Sequence, residues 1–192
     1  MKYIPFSLAL IWLTIACNPN RLCLACLSDK EQLLLLILKY NWVPPPPPSG
    51  NSQGAGRQLL PAKEHVLYLN PTHIDVAEYS IAVNTSYLPD TLRESYSRLL
   101  TEVIEYDGKD ILPVKEVYAY LPKHIQITSD IQADVAARLY VSHIAIDAEH
   151  RKAIALISCV LSRLSGGYGL MLFEKDTHGA WALKTEIELG VY

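Results

Sequence analysis

The stretch AIALISCVLSRLSGGYGLMLFEKDTHGAWALKTEIELGV, residues 153–191, decides the fold. Residues 153–164 are largely apolar on both alternating faces, as a strand buried on both sides requires. Gly166-Gly167-Tyr168-Gly169 is expected to turn the chain, and residues 170–174 to form the next strand. Asp176-Thr177-His178-Gly179 has the composition of a compact hairpin loop, with Gly179 suited to the left-handed position. In the last strand Trp181, Leu183, Ile187, Leu189 and Val191 fall on one face, and Lys184, Glu186 and Glu188 on the other. Upstream, residues 138–146 are strand-like and 147–152 form a polar turn. Four strands with short connections predict a C-terminal antiparallel β-meander.

Working outward, residues 90–105 carry Leu92, Tyr96, Leu99, Leu100 and Val103 at helical spacing, and Asp107-Gly108 ends that helix. Residues 112–121 predict a shorter helix closed by Pro122. Residues 65–69 and 124–128 read as short strands, and 74–83 as an extended segment. Residues 62–192 thus predict a single α+β domain, in which the preceding helices cover one face of the meander.

Ser28-Asp29-Lys30-Glu31 has the form of a capping box, which opens a helix over 28–42. Its run of leucines is apolar on most faces and must pack against something. Residues 43–61 form a Pro/Gly-rich linker. Its five prolines, Pro44 to Pro48, dictate a stiff extended strut of roughly 15 Å.

Residues 1–16 have the layout of a signal peptide: Lys2, an apolar run, then small residues. The run is shorter than the roughly 18 residues that span a bilayer; a buried N-terminal helix is the alternative. Thr14 and Ala16 suit ordinary signal peptidase. The segment LTIAC, 13–17, also resembles the bacterial lipobox, and that resemblance implies cleavage before Cys17 with lipid attached to its sulfur. Residues 17–27 would then be a tether, and a membrane surface would be a partner through the lipid.

Half of the 192 residues are hydrophobic and the formal net charge is −3. No basic stripe tracks a phosphate backbone, so nucleic acid is not an expected partner. Of the four cysteines, Cys17, Cys23, Cys26 and Cys159, the middle two form a CxxC that lacks the second ligand pair of a zinc site. No metal and no cofactor is expected. No Gly-x-Ser-x-Gly elbow or phosphate loop occurs. His73-Ile74-Asp75 supplies the candidate ligand contacts, His73 and Asp75, on a polar loop. No residue is assigned a catalytic role. His143 is expected to be a hydrogen-bonded, partly buried residue, and the tyrosines to serve the core more than a binding surface.

Asp147, Lys152-Ala153, Cys159, Gly166, Gly169, Leu170, Glu174-Lys175, Gly179 and Trp181 together resemble the C-terminal third of small exported envelope proteins of Gram-negative bacteria. That resemblance implies a lipoprotein-like chain and brings no activity with it. Such proteins often carry a second cysteine where Leu164-Ser165 stands here, so the local disulfide that they imply for Cys159 has no partner in this segment. The expectation is therefore a lipoprotein of the cell envelope, acting as a non-catalytic binding or accessory module, with an envelope protein as a further partner. The alternative is a periplasmic, hydrolase-like enzyme that uses scattered polar residues such as His73 and Asp75.

Overall fold

The structure is a computed structural model and describes residues 26–41, 65–72, 83–107, 111–123, 125–131, 133, 135–162 and 165–191. The expected signal peptide over 1–16, Cys17, Cys23, the expected linker over 43–61 and residues 74–82 of the expected extended segment lie outside these residues.

The capping box forms as its residue types require. The Ser28 N–H donates to Glu31 Oε2 at 2.6 Å and the Glu31 N–H to Ser28 Oγ at 3.3 Å. Helix α1 (Asp29–Asn41) follows, with Leu33, Leu34, Leu35, Ile37 and Leu38 buried. So broad an apolar surface is satisfied because α1 packs both on the sheet and against the short helix α3 (Val114–Tyr118). Helix α2 (Asp90–Glu105) buries Tyr96, Leu99, Leu100 and Val103 at the expected spacing.

The described strands form one seven-stranded mixed sheet, ordered β2-β1-β3-β5-β6-β7, with β4 paired to β5 beside β3. Strand β1 (His65–Leu69) runs parallel to β2 (Ile125–Thr128) on one side and to β3 (Ala137–Val141) on the other. Strand β5 (Lys152–Ser162) is antiparallel to β3, to β4 (Ala145–Ile146) and to β6 (Ser165–Lys175). Strand β7 (Trp181–Val191) closes the far edge, antiparallel to β6. The domain is α+β, but the expected four-stranded antiparallel meander is replaced by this larger mixed sheet. The difference lies in β1 and β2, whose ladder partners stand 60 to 70 positions away (His65 with Ile125, Leu67 with Ala137) and leave no local trace.

The layers differ as well from the expected single covered face. Helices cover both faces of the sheet. Leu67, Leu69, Leu139, Val141, Ala153, Ala155, Met171 and Phe173 join α1 and α3 on one face. Ile154, Leu156, Leu170 and Leu172 join α2 on the other. This is why β5 is apolar at every position from Ala153 to Ile157.

Three local readings also change. Gly166 to Gly169 do not turn the chain; they lie inside β6, and the reversal falls between Ser162 and Ser165. The smallness of Gly167 and Gly169 serves strand packing, since a Cβ would sit 3.1 Å from the Gly190 carbonyl oxygen at the first and 2.6 Å from the Ile187 carbonyl oxygen at the second. The strand expected over 138–146 is two strands. Ser142 ends the first by accepting the Leu156 N–H on its hydroxyl at 2.8 Å while donating that hydroxyl to the His143 carbonyl at 2.9 Å. Finally, β7 does not keep one apolar face. Leu183 pairs with Phe173 and Thr185 with Leu172, leaving Lys184 as a bulge. The bulge shifts the parity of the strand. Trp181 and Leu183 therefore pack on the α1 face, and Ile187 and Leu189 on the α2 face. Glu186 is carried to the α1 side, opposite Met171.

The Asp176 hairpin is as expected. Asp176 Oδ1 accepts the N–H groups of His178 and Ala180 at 2.8 and 2.9 Å, and Gly179 has φ +80°. These backbone donors, led by Ala180, hold the Asp176 carboxyl below the usual carboxylate range.

One polar cluster fixes α1 to the sheet. Asp29 Oδ1 accepts from Lys175 Nζ and Trp181 Nε1, each at 2.7 Å, and Oδ2 lies 2.7 Å from His150 Nδ1. Burial by itself raises the Asp29 pKa, but the hydrogen bonds from Lys175, Trp181 and His150 outweigh it and hold the carboxyl below its ordinary value.

Candidate functional site

The parallel half of the sheet positions a cleft. In open sheets, ligands collect beyond the carboxyl ends of parallel strands, where loops diverge and leave a crevice. Here β1 and β2 end side by side at Leu69 and Thr128. A cavity of about 490 Å3 lies beyond them, within the range typical of small-ligand sites.

Leu69 and Ile127 supply the strand side of the cleft, and Leu112, Pro113 and Val114 the opposite wall. That wall is held by the backbone. The Leu112 N–H donates to the Pro71 carbonyl at 2.9 Å, and Thr72 bridges Ile111 in antiparallel fashion. On the lip stand Lys115, Glu116, Tyr118 and Ser129, all exposed. Ile111 and Tyr118 expose 74% and 51% of their surface beside the opening. Large apolar side chains left in solvent at the mouth of an apolar cavity are what a binding surface presents. The arrangement can enclose an apolar body and offer a few polar contacts at its rim. No histidine or cysteine lines it among the described residues.

The second polar feature is His143, between β3 and β4. It is buried, stacks on Tyr106 at 4.0 Å with 15° between the rings, and places Nε2 3.3 Å from Glu102 Oε1. It thus pins the β3–β4 corner to α2, in keeping with the structural role expected of it. Cys159 is half-buried in β5 and in no disulfide, and burial pushes its thiol up, away from the thiolate needed for nucleophilic work. His150 and His178 are exposed, as hairpin residues should be, but His150 also meets Asp29.

The candidate ligand contacts His73 and Asp75, and Cys17, the expected point of lipid attachment, fall outside the described residues. Among the described residues, no group of three or more His, Cys, Asp or Glu side chains could hold a metal ion, and no helix is long and apolar enough to cross a membrane. The cleft escaped sequence reasoning because its lining comes from three separated segments, around 69–71, 111–118 and 127–129. No local signal marked it, since Leu112, Pro113 and Val114 read as the start of the helix expected over 112–121.

No protein-family model, curated protein or solved structure matches the chain.

Proposed function

We propose that this chain is a non-catalytic binding module of the cell envelope, held at a membrane surface by lipid on Cys17. Its cleft beyond β1 and β2 takes a small ligand with an apolar body. The observation that carries this reading is the cleft itself: an apolar interior of about 490 Å3 with its charged groups confined to an exposed lip. Such a lining favours burial of apolar surface, at roughly 25 cal/mol for each Å2 removed from water. Among the described residues it offers no buried acid, base or nucleophile to a reacting bond. The leader over 1–16 and the lipobox-like LTIAC support the address.

The test for the cleft uses the anionic naphthalene dye ANS as probe. The full chain should brighten the dye. Ser129→Trp, which fills the cleft from an exposed position, should abolish the brightening with the melting temperature unchanged. Equal brightening by Ser129→Trp would place the dye elsewhere and defeat the cleft reading. The mass of the mature N-terminal peptide from a Gram-negative host tests the anchor: a diacyl-modified Cys17 supports it, and an intact Met1 removes it.

A further inference from the structure

Strand β7 is the long edge of the sheet. Among the described residues it pairs with β6 alone, over the eleven residues from Trp181 to Val191. Every second residue of such a strand turns its N–H and C=O groups away from the sheet, a template for another extended chain. Natural edges are blunted by charges and bulges, and β7 carries bulges at Lys184 and Leu189. Between them lies one regular stretch, residues 185–188.

That stretch has a definite chemistry. Lys184 is neutralised by Glu174, Nζ to Oε2 at 3.1 Å. Glu186 and Glu188 are exposed and make no ion pair among the described residues. Both project to the α1 face, where they line a second cavity of about 510 Å3. Its other walls include Ile157, Cys159 and Val191, apolar groups that suit the methylene stem of a long cationic side chain. Asn41, the last residue of α1, stands at the same cavity, so the negative end of the helix dipole adds to the two carboxylates.

We infer that β7 accepts an extended basic peptide segment as an added strand, with lysine or arginine at alternate positions set against Glu186 and Glu188. Residues i and i+2 of a strand stand about 7 Å apart on one face, so the alternation of the partner matches that of the glutamates. Charge complementarity selects this occupant over a second copy of the chain. A second β7 paired antiparallel on the same stretch places Glu186 against Glu188 or, with the register moved by one pair either way, one of the two glutamates against its own copy, and like charges directly opposite repel. This surface lies at the opposite edge of the sheet from the cleft, and either can fail without the other.

The experiment is fluorescence anisotropy of labelled peptides of about ten residues titrated with the full chain. One peptide alternates lysine with threonine and valine, a second has glutamate for lysine, and a third keeps the lysines but carries N-methyl groups on alternate backbone nitrogens. The lysine peptide should bind, and the glutamate and N-methyl peptides should not. The E186K/E188K chain, altered only at exposed positions, should bind the lysine peptide about tenfold more weakly with an unchanged melting temperature. Equal binding of the N-methyl peptide would reduce the surface to a charged patch and overturn strand addition. Undiminished binding by E186K/E188K, or a dimer forming through β7 without peptide, would overturn it as well.

Discussion

Asp29, in the first turn of α1, and Trp181, the first residue of β7, are 152 positions apart and share a hydrogen bond of 2.7 Å. The indole N–H of Trp181 donates to Oδ1, the same oxygen that takes Lys175 Nζ. The first and last described elements are thus joined through one carboxylate. Asp29→Ala removes three charge-assisted contacts and leaves Lys175 without its carboxylate, and should cost about 2 kcal/mol. Trp181→Phe removes the N–H alone and should cost about 1 kcal/mol. Urea unfolding of both variants and of the double variant gives the coupling between them. Strictly additive losses would mean that the contact contributes nothing.

The same carboxylate sets an acid limit. Although burial acts against it, the donors around Asp29 hold its folded pKa below the unfolded one, which lies near ~3.9. Below that value the unfolded chain binds the proton first, so stability falls as pH drops. The contribution should be complete above about pH 4 and decline below it. Asp29→Asn should flatten this part of the stability profile, measured by urea unfolding at a series of pH values. An unchanged profile would exclude Asp29 as its source.

Tyr96 sets the alkaline counterpart. Its side chain is buried and its hydroxyl donates to the Phe173 carbonyl at 2.9 Å. Burial, with Glu174 and Asp147 adding to it, pushes its pKa up to about 12. The folded state therefore resists losing this proton, while the unfolded chain gives it up near pH ~10. Stability from this group is full below about 10 and is lost as pH rises from there toward 12. Tyr96→Phe should cost about 1 kcal/mol at neutral pH and should weaken the alkaline decline. Parallel alkaline limbs for the variant and the natural chain would refute this account.

Gly169 and Gly190 offer a graded test of the β6–β7 approach. A Cβ at Gly169 meets the backbone oxygen of Ile187 at 2.6 Å, whereas one at Gly190 meets the ring of Tyr168 at 2.6 to 2.8 Å. A carbonyl in a paired strand has little room to yield, while a side chain can rotate. Gly169→Ala should therefore cost about 1–3 kcal/mol and Gly190→Ala less, as read by thermal unfolding. The reverse order would show that Tyr168, rather than the β7 backbone, is the rigid partner.

What was legible in the sequence was local. Ser28 and Glu31 announce the start of α1, Leu92 to Val103 give the buried stripe of α2, and Asp176 to Gly179 spell the hairpin. The errors share one cause, which is that the deciding partner is distant. Gly166 to Gly169 have the composition of a turn, yet Gly169 is required by the carbonyl of Ile187 on the next strand. Strict alternation along β7 fails because the bulge at Lys184 is a property of its pairing with β6. The parallel ladder joining β1 to β2 and β3 leaves no mark on any of the three segments. The cleft was hidden for the same reason, since it exists only once that ladder has brought Leu69, Leu112 and Ile127 together.

The two halves of the sheet also differ in how they come to exist. Strands β5, β6 and β7 are joined by short reversals and can zip from neighbouring chain, whereas His65 must find Ile125 before β1 and β2 pair. Closing so long a loop costs entropy before any contact repays it. On this ground the hairpin half is expected to seed folding and to open last, and the β1–β2 pair to join late and open early. The cleft rides on that late-forming pair. A ligand that fills it would act as a clamp on the least cooperative region of the domain, and its presence would be read in slowed amide exchange of β1 and β2, with β5 and β6 indifferent to it.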